Sequence, residues 1–314
     1  MKKKELGIFI LLVLVCAVTG FKNHHFFSHA NLVNTANLIG LFGIFSIGAG
    51  MVIITSGIDL SVGSMIALNG MLLALALTEW HWAWPLALLF ALAVPMLLGL
   101  FHGVLITRFR MQPFIVTLCG LLLYRGIARY IADDTTKGFG EADGFKTLQN
   151  LASGSLFGFP MPFVLLIGIA VIMWLVLHKS IYGRYLYAVG HNEEAARFSG
   201  INTRLIITVT YVLAGLLTGI SGVLFAFYTN SVSPSTHGNF YELYGIAAAV
   251  LGGCSLRGGE GSIIGILIGT TLLLVLQNLV NLLGIPSSLN FAVMGAVVLV
   301  GVLADQFFQH RGKK

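Results

Sequence analysis

Long apolar runs separated by short polar segments dominate this sequence and limit what it can fold into. Several of the runs reach the roughly 20 residues that an α-helix needs to cross the apolar core of a bilayer. Hydrophobic residues make up 57% of the 314 residues and charged residues only 10%, whereas soluble domains carry about 25% charged residues. We therefore predict an all-α, polytopic membrane protein with about ten transmembrane helices. The expected spans are residues 6–18, 36–55, 60–78, 85–107, 113–131, 160–177, 205–228, 243–253, 262–283 and 286–304.

The distribution of Lys and Arg predicts how these helices are oriented. With the N-terminus placed in the cytosol, 13 of the 18 Lys and Arg residues lie in cytosolic segments, and membrane proteins show this excess on the cytosolic side. The prediction is a single membrane domain over residues 1–314 with both termini in the cytosol. Residues 179–204 form its main cytosolic loop, and residues 132–159 form the largest loop on the other side. Because the basic residues follow the topology, no nucleic-acid partner is predicted.

The cytosolic stretch 179–204 carries the signature of a short helix. Asn192 is a good N-cap because its side chain can accept a hydrogen bond from a free N–H of the first turn. Glu193 and Glu194 follow, where carboxylates suit the positive helix end, and Gly200 can end the helix in a left-handed conformation. A helix of two turns is marginally stable alone, so we expect it to pack against a partner. Its residues are Asn192, Glu193, Glu194, Ala195, Ala196, Arg197 and Gly200.

Two polar turns interrupt the apolar runs. The first, SGIDLSVGS, covers residues 56–64, and its Asp59 allows two interpretations. The carboxylate can cap the following helix, which its position at a turn favours, or it can couple transport to an ion. The second turn, GGCSLRGGEG at residues 252–261, lacks the order of a phosphate-binding loop. Structural roles are predicted for Gly57, Asp59, Ser61, Gly63, Gly252, Gly253, Gly258, Gly259 and Gly261.

Few polar side chains lie within the predicted spans. Amides in a bilayer usually form hydrogen bonds between helices, but they can also line a path for a polyhydroxylated solute, whose hydroxyls need donors and acceptors. Gln277 and Asn281 share one helix face. The candidate pathway-lining residues are Asn69, Gln277, Asn278 and Asn281.

The remaining polar segments show no recognisable chemistry. The acidic loop 133–144 does not have EF-hand spacing and is either a solvated loop or a docking surface. His24, His25 and His29 are not spaced as zinc ligands with a partner carboxylate. We predict no catalytic residue, no metal site and no cofactor.

Three motifs occur in a specific order and spacing: SGIDLSVGS at 56–64, YAVGHNEEAARFSGI at 187–201 and GGCSLRGGEGSIIG at 252–265. Together they resemble the ribose/xylose/arabinose-type permease subunits of bacterial ABC importers, and the resemblance covers roughly residues 37–305. It implies a multi-pass protein of the bacterial plasma (inner) membrane. Such a protein moves a monosaccharide, a ribose-like pentose or a related sugar, and is energised by separate ATPase subunits.

The resemblance also implies partners. In such permeases a cytosolic coupling helix docks into a groove of the ATPase subunit, and here it corresponds to residues 192–200, with the N-x-x-A-A-R pattern at 192–197. A periplasmic or lipid-anchored sugar-binding protein is expected to dock on loops such as 132–159 and 229–242. A second permease subunit, identical or similar, completes the transporter. His191 stands where the family often has Gly, and Arg257 and Glu260 add charge to the glycine turn.

The alternative function is an ion-coupled secondary transporter. Such a protein needs ionisable or unwound coupling sites near the middle of the membrane, and mid-span carboxylates are essentially absent from the predicted spans. An intramembrane enzyme would need paired carboxylates, a zinc site or an activated nucleophile, and none is visible. Neither the sugar nor the choice between a homodimer and a heterodimer follows from the sequence.

Overall fold

The computed structural model describes residues 3–140 and 144–286, and beyond them residues 289, 292–293, 295–296 and 299. Most of this part of the chain is α-helical. A 3-10 turn over His24–Phe27 joins the first two helices. The helices are α1 (Lys3–Lys22), α2 (His29–Ile54), α3 (Val62–Thr78), α4 (Trp84–Arg108), α5 (Pro113–Ile131), α6 (Lys146–Ser153), α7 (Met161–His178), α8 (Ile181–His191), α9 (Glu193–Phe198), α10 (Thr203–Thr229), α11 (Tyr241–Leu251) and α12 (Ile263–Leu282).

The strands of the described residues are only two residues long, and they form two small antiparallel ladders. β1 (Lys137–Gly138) pairs with β4 (Ser231–Val232), and β2 (Ser155–Leu156) pairs with β3 (Phe159–Pro160). β4 follows the end of α10, whereas α9 precedes its start. The β1–β4 ladder and α9 therefore lie at opposite ends of the helix bundle.

Seven helices of the described residues are long and apolar enough to cross a membrane, namely α1, α2, α4, α5, α7, α10 and α12. The helices α3 and α11, with 17 and 11 residues, are shorter, so the expected count of about ten spans is not confirmed. The span expected at 286–304 lies outside the described residues, apart from a few single positions. The helix α2 begins at His29, earlier than predicted, because the Ser28 hydroxyl accepts a hydrogen bond from the Asn31 N–H at 3.3 Å and caps it.

The centre of the bundle is formed by α2 and α10, whose side chains are mostly buried, while α1, α4, α5 and α7 leave apolar faces exposed as lipid-facing helices do. Glycines let α4 approach α10 closely. A Cβ atom on Gly103 would lie 2.7 Å from the Thr208 Cα, and a Cβ on Gly99 would meet the Tyr211 carbonyl oxygen. Membrane helices without bulky residues at the contact pack in this way.

The helices α3 and α11 begin inside the bundle and not at its ends. The Asn69 side chain of α3 donates to the Gly219 carbonyl of α10 at 2.9 Å, and Val62, where α3 begins, lies about 10 Å below Asn69 along the helix. This start is level with a point about a third of the way along the 27-residue α10, roughly 14 Å from its Thr203 end. Residues 55–61 thus form a non-helical segment that enters the bundle. The helix predicted at 60–78 agrees with α3, and the structure adds that the turn before it is buried at Asp59 and Ser61.

Contacts between loops agree with the sides assigned from the Lys and Arg count. At the α9 end, the Ser262 hydroxyl donates to the Glu5 carboxylate at 2.6 Å, which brings the start of α1 to the glycine turn 252–261. At the other end, the Lys137 ammonium binds the Glu79 carboxylate at 2.6 Å. Loops that the charge count assigns to one side therefore contact one another.

Candidate functional site

The helix α9 has the capped geometry that the sequence predicts. The Asn192 side chain accepts a hydrogen bond from the Ala195 N–H at 2.9 Å. At the other end, Gly200 has a φ of +85°, and the Gly200 N–H donates to the Arg197 carbonyl at 3.0 Å. The Ile201 N–H reaches back to the Ala196 carbonyl at 3.1 Å. These two bonds form a Schellman motif, so both ends of this six-residue helix are closed by its own chain.

One face of α9 is buried against the bundle and the rest is exposed. Ala196 is buried, whereas Glu194 and Arg197 project outwards with side-chain atoms 4.0 Å apart. Phe198, at the end of the helix, is 84% exposed. Sequence reasoning missed Phe198, although its place beside Arg197 at the end of a short helix is a signal that could have found it. An exposed aromatic residue away from the lipid-facing helices indicates a surface that another protein covers.

The helix α8 carries α9, and the sequence analysis did not predict it. The Ser180 hydroxyl caps α8 by accepting from the Gly183 N–H at 3.1 Å. The Tyr182 hydroxyl forms a 2.7 Å hydrogen bond with the Thr210 hydroxyl of α10. On the other side of α9, the Thr203 hydroxyl donates to the Glu193 carboxylate at 3.1 Å. The pair α8–α9 is therefore attached to the start of α10 from both directions.

The three sequence motifs meet at one point next to α8. The Ser56 hydroxyl lies 3.0 Å from both the Gly190 and the Arg257 carbonyl oxygens, and the Gly259 N–H donates to the Ile54 carbonyl at 2.9 Å. A Cβ on Gly190 would collide with the Ile54 carbonyl oxygen. We call this contact of residues 54–56, 190 and 257–259 the motif junction. It joins α2, α8 and the glycine turn through backbone atoms.

Glycines of the turn 252–261 are required by its geometry. Gly258 and Gly259 have φ values of +82° and +74°, which residues with side chains rarely adopt. Gly252 packs on the Gly265 carbonyl of α12, and Gly253 also has a positive φ of +91°. This geometry fits the structural roles predicted for these glycines. The turn is compact and packs against the end of α8.

Two buried groups hold the far side of this turn. The Tyr187 hydroxyl donates to the Gly261 carbonyl at 2.8 Å. Burial raises the pKa of Tyr187 above its usual range, so the hydroxyl remains a donor at neutral pH. Burial also raises the pKa of the Cys254 thiol to about 12. Both groups are therefore uncharged, as their apolar surroundings require.

Asp59 is buried, but it does not cap α3 as predicted. Its Oδ1 atom accepts from the Ser61 N–H at 2.9 Å and from the Ser61 hydroxyl at 2.6 Å, and Ser61 is the N-cap residue of α3. The carboxylate therefore shapes the entry to the helix, three residues before it begins. Gly57 lies beside it, and a Cβ there would be 2.7 Å from the Tyr211 hydroxyl.

The candidate pathway residues lie in contacts between helices. Asn69 is 1% exposed and bonds to α10. The Asn278 amide donates to the Asn31 side chain at 2.7 Å and to the Thr35 hydroxyl at 3.0 Å, which joins α12 to α2. Gln277 is half-buried, as Asn278 is, and Asn281 is exposed. These bonds fit the interhelical interpretation of Asn69 and Asn278, and pathway lining stays a prediction for all four.

A carboxylate that the sequence analysis assigned to an outer loop lies inside the bundle. Glu242, in the first turn of α11, is only 7% exposed. A Cβ placed on Gly63, in the first turn of α3, would meet its Oε2 atom. The sequence analysis left Glu242 just outside the predicted span 243–253, because no local pattern shows that residues 233–240 fold back into the bundle.

Comparisons with known proteins agree with this architecture. Residues 31–302 match the family described as "Branched-chain amino acid transport system / permease component". A ribose import permease of Bacillus subtilis is 38% identical over 302 residues, which is 96% of this chain and 91% of that protein. A galactofuranose transporter permease of Escherichia coli is 33% identical (92% and 86% covered), and a fructose import permease of Bifidobacterium longum is 32% identical (93% and 84% covered).

No solved structure matches the chain. The relatives are named as permeases and not as enzymes, and they align with nearly the whole chain. Together with these relatives, the apolar helices show that the chain is a multi-pass protein of the bacterial plasma membrane. Because the family match covers most of its length, the chain belongs to the permease-component family of branched-chain amino acid transport systems, and its relatives within that family are sugar import permeases.

Proposed function

We propose that this chain is the transmembrane permease subunit of an ATP-binding cassette importer for a monosaccharide, a ribose-like pentose or a related sugar. The single observation that carries the proposal is α9, a helix capped at both ends, exposed on its outer face and braced by the motif junction. The relatives named for ribose, galactofuranose and fructose support the sugar class. ATP hydrolysis takes place on separate cytosolic subunits.

Transport by the assembled complex tests this function. The chain is purified with the ATPase and the binding protein encoded by neighbouring genes and reconstituted in proteoliposomes. We expect ATP-dependent uptake of at least one labelled sugar among ribose, fructose and galactose. This uptake is expected to be at least about tenfold faster than uptake of leucine, which represents the branched-chain amino acids of the family description. Uptake by the chain alone, driven by a proton or sodium gradient, would instead favour a secondary transporter.

The proposed ATPase contact is the outer surface of α9. Asn192, Glu193, Glu194, Ala195, Ala196, Arg197 and Gly200 form the predicted coupling helix, to which the structure adds the exposed Phe198. Closure of two ATPase subunits on ATP would displace α9. Because α8 and the motif junction link α9 to α2 and the glycine turn, the displacement would bias the bundle between outward-open and inward-open states.

The proposed topology has ten membrane segments, with α3 and α11 counted as short segments and the last one at residues 286–304. Both termini and residues 179–204 face the cytosol. We expect a green fluorescent protein fusion truncated after His191 to fluoresce and an alkaline phosphatase fusion at the same residue to be inactive. Truncation after Phe157, at the tip of the β2–β3 hairpin, is expected to reverse both readouts. Active phosphatase at His191 would overturn this topology.

The proposed outer partner is a periplasmic or lipid-anchored sugar-binding protein. Its docking surface comprises the loop 132–159 and the outer part of the predicted loop 229–242, residues 229–232, which the β1–β4 ladder joins through the pairing of Lys137 with Val232. One continuous surface at the outer end suits a protein that must deliver sugar to a single opening. A second permease subunit, either another copy of this chain or a similar chain, completes the pathway.

A further inference from the structure

The two short membrane helices, α3 and α11, meet with their N-terminal ends near the middle of the bundle. A Cβ on Gly63 would collide with the Gly238 carbonyl oxygen, and a Cβ on Gly238 would collide with the Gly63 carbonyl oxygen. The two backbones are thus in direct contact. A Cβ placed on Gly245 of α11 would lie 3.1 Å from the Phe45 ring of α2, which places α11 beside the buried centre of α2.

The Glu242 side chain lies at this contact between α3 and α11. A Cβ placed on Gly63 would collide with its Oε2 atom, so the carboxylate lies directly against the first turn of α3, while Glu242 itself is in the first turn of α11. The first N–H groups of a helix have no partner within the helix and carry a partial positive charge. One carboxylate therefore lies at the N-terminal ends of both α3 and α11, where its negative charge suits their free N–H groups.

Arg125 of α5 supports the same contact. Its guanidinium donates to the Pro234 carbonyl at 3.0 Å and to the His237 carbonyl at 2.7 Å. It therefore holds the returning segment 233–240, which leads to Glu242, in place. Arg125 lies within the span predicted at 113–131, and its side chain is part of this internal network.

The motif junction reaches the base of both short helices. Ser56 belongs to the segment that leads into α3, and the turn 252–261 follows the end of α11. Both contact Gly190 of α8, which carries α9. In addition, α11 lies between glycines with left-handed conformations, Gly238 (φ +70°) and Gly253 (φ +91°), which suit hinges. A displacement of α9 is thus transmitted by direct contacts to the elements that Glu242 joins.

We propose that Glu242 is a positioning residue that holds α3 and α11 together as a seal in the middle of the membrane, and that each transport cycle requires this contact to open. The proposal rests on the proposed function, because it assigns the seal to the sugar pathway. It predicts that weakening the contact lets sugar pass without ATP. A role in folding alone predicts lower amounts of protein but no such leak.

The test uses the reconstituted complex and a sugar that the parent complex transports. We expect Glu242→Ala to raise ATP-independent sugar efflux at least about tenfold above the parent. Glu242→Gln, whose amide oxygen can still lie against Gly63, is expected to leak less. The control is Glu79→Ala, which also removes one carboxylate but breaks only an exposed ion pair at the outer end. Its ATP-independent sugar efflux is expected to equal that of the parent. If the Glu242→Ala complex assembles and its ATP-independent sugar efflux equals that of the parent, the proposal is wrong.

Hydrogen exchange of the peptide that contains Gly63 provides a readout that does not depend on the sugar. We expect protection of this peptide in the parent at rest, and faster exchange in the Glu242 variants and in the parent trapped with ATP analogue on its ATPase. If the parent transports no tested sugar, the proposed function fails, while the exchange result still decides whether the contact opens. Should Glu242→Ala not accumulate, Arg125→Lys is measured in its place. Equal exchange in the resting and trapped parent would contradict an opening seal.

Discussion

Replacing Gly190 with Ala is expected to reduce ATP-driven uptake at least about tenfold and to destabilise the chain. The added Cβ would collide with the Ile54 carbonyl oxygen and would lie 2.7 Å from the Gly259 nitrogen. Both neighbours are backbone atoms of the motif junction, so no side chain can rotate away. Overpacking a tight contact costs about 1–3 kcal/mol of the free energy of unfolding, and we expect the upper part of this range because the Gly259–Ile54 hydrogen bond lies at the same point.

The measurement pairs the thermal midpoint of the detergent-solubilised protein with uptake in proteoliposomes. Gly168→Ala is the matched control, since Gly168 also lies within a helix but has no atom within 4 Å of a Cβ position. Alanine has the higher helix propensity by about 1 kcal/mol, so this variant is expected to be at least as stable as the parent. If the Gly190→Ala variant keeps the thermal midpoint and the uptake of the parent, α8 and the glycine turn can move apart without loss of function. The proposed transmission of movement through this contact would then be wrong.

Replacing Phe198 with Ala is expected to weaken binding of the ATPase subunit by roughly 30-fold, while the chain itself remains folded. Exposed aromatic side chains that become buried at an interface often contribute about 2 kcal/mol or more to binding. Since Phe198 is 84% exposed in the isolated chain, its removal is expected to change the free energy of unfolding by less than about 0.5 kcal/mol. The loss therefore belongs to the interface and not to the fold.

The affinity of the solubilised permease for its ATPase and the stimulation of hydrolysis by sugar-loaded binding protein are the readouts. Phe21→Ala is the control, because Phe21 is 88% exposed but lies at the opposite end of the bundle.

The double variant Glu194→Ala/Arg197→Ala is expected to insert normally and to uncouple hydrolysis from transport. An exposed ion pair of this kind contributes only about 0–1 kcal/mol to stability. Parent-like coupling in both variants would place the ATPase contact elsewhere.

Features that depend on neighbouring residues along the chain were predicted well from the sequence. The helix at 113–131 has the expected bounds, and α9 ends where its Asn and Gly caps predict. Capping bonds connect residues only three to five positions apart, so the sequence contains both partners of each bond within one short window. The apolar length of a span is likewise a local property, because the bilayer is the solvent on every side.

Features that depend on distant residues were decided by the tertiary structure alone. The meeting of Ser56 with Gly190, and of Gly63 with Glu242, joins residues more than 130 positions apart. Whether an apolar run is a full span or a short helix beginning at mid-depth depends on which neighbours satisfy its free N–H groups. The sequence by itself determined a membrane-spanning helical protein with an exposed capped helix at 192–200. Only the packing of α2, α8, α10 and α11 decided that this helix rests on the junction of all three motifs, because backbone contacts between separate helices leave no periodic pattern in the chain.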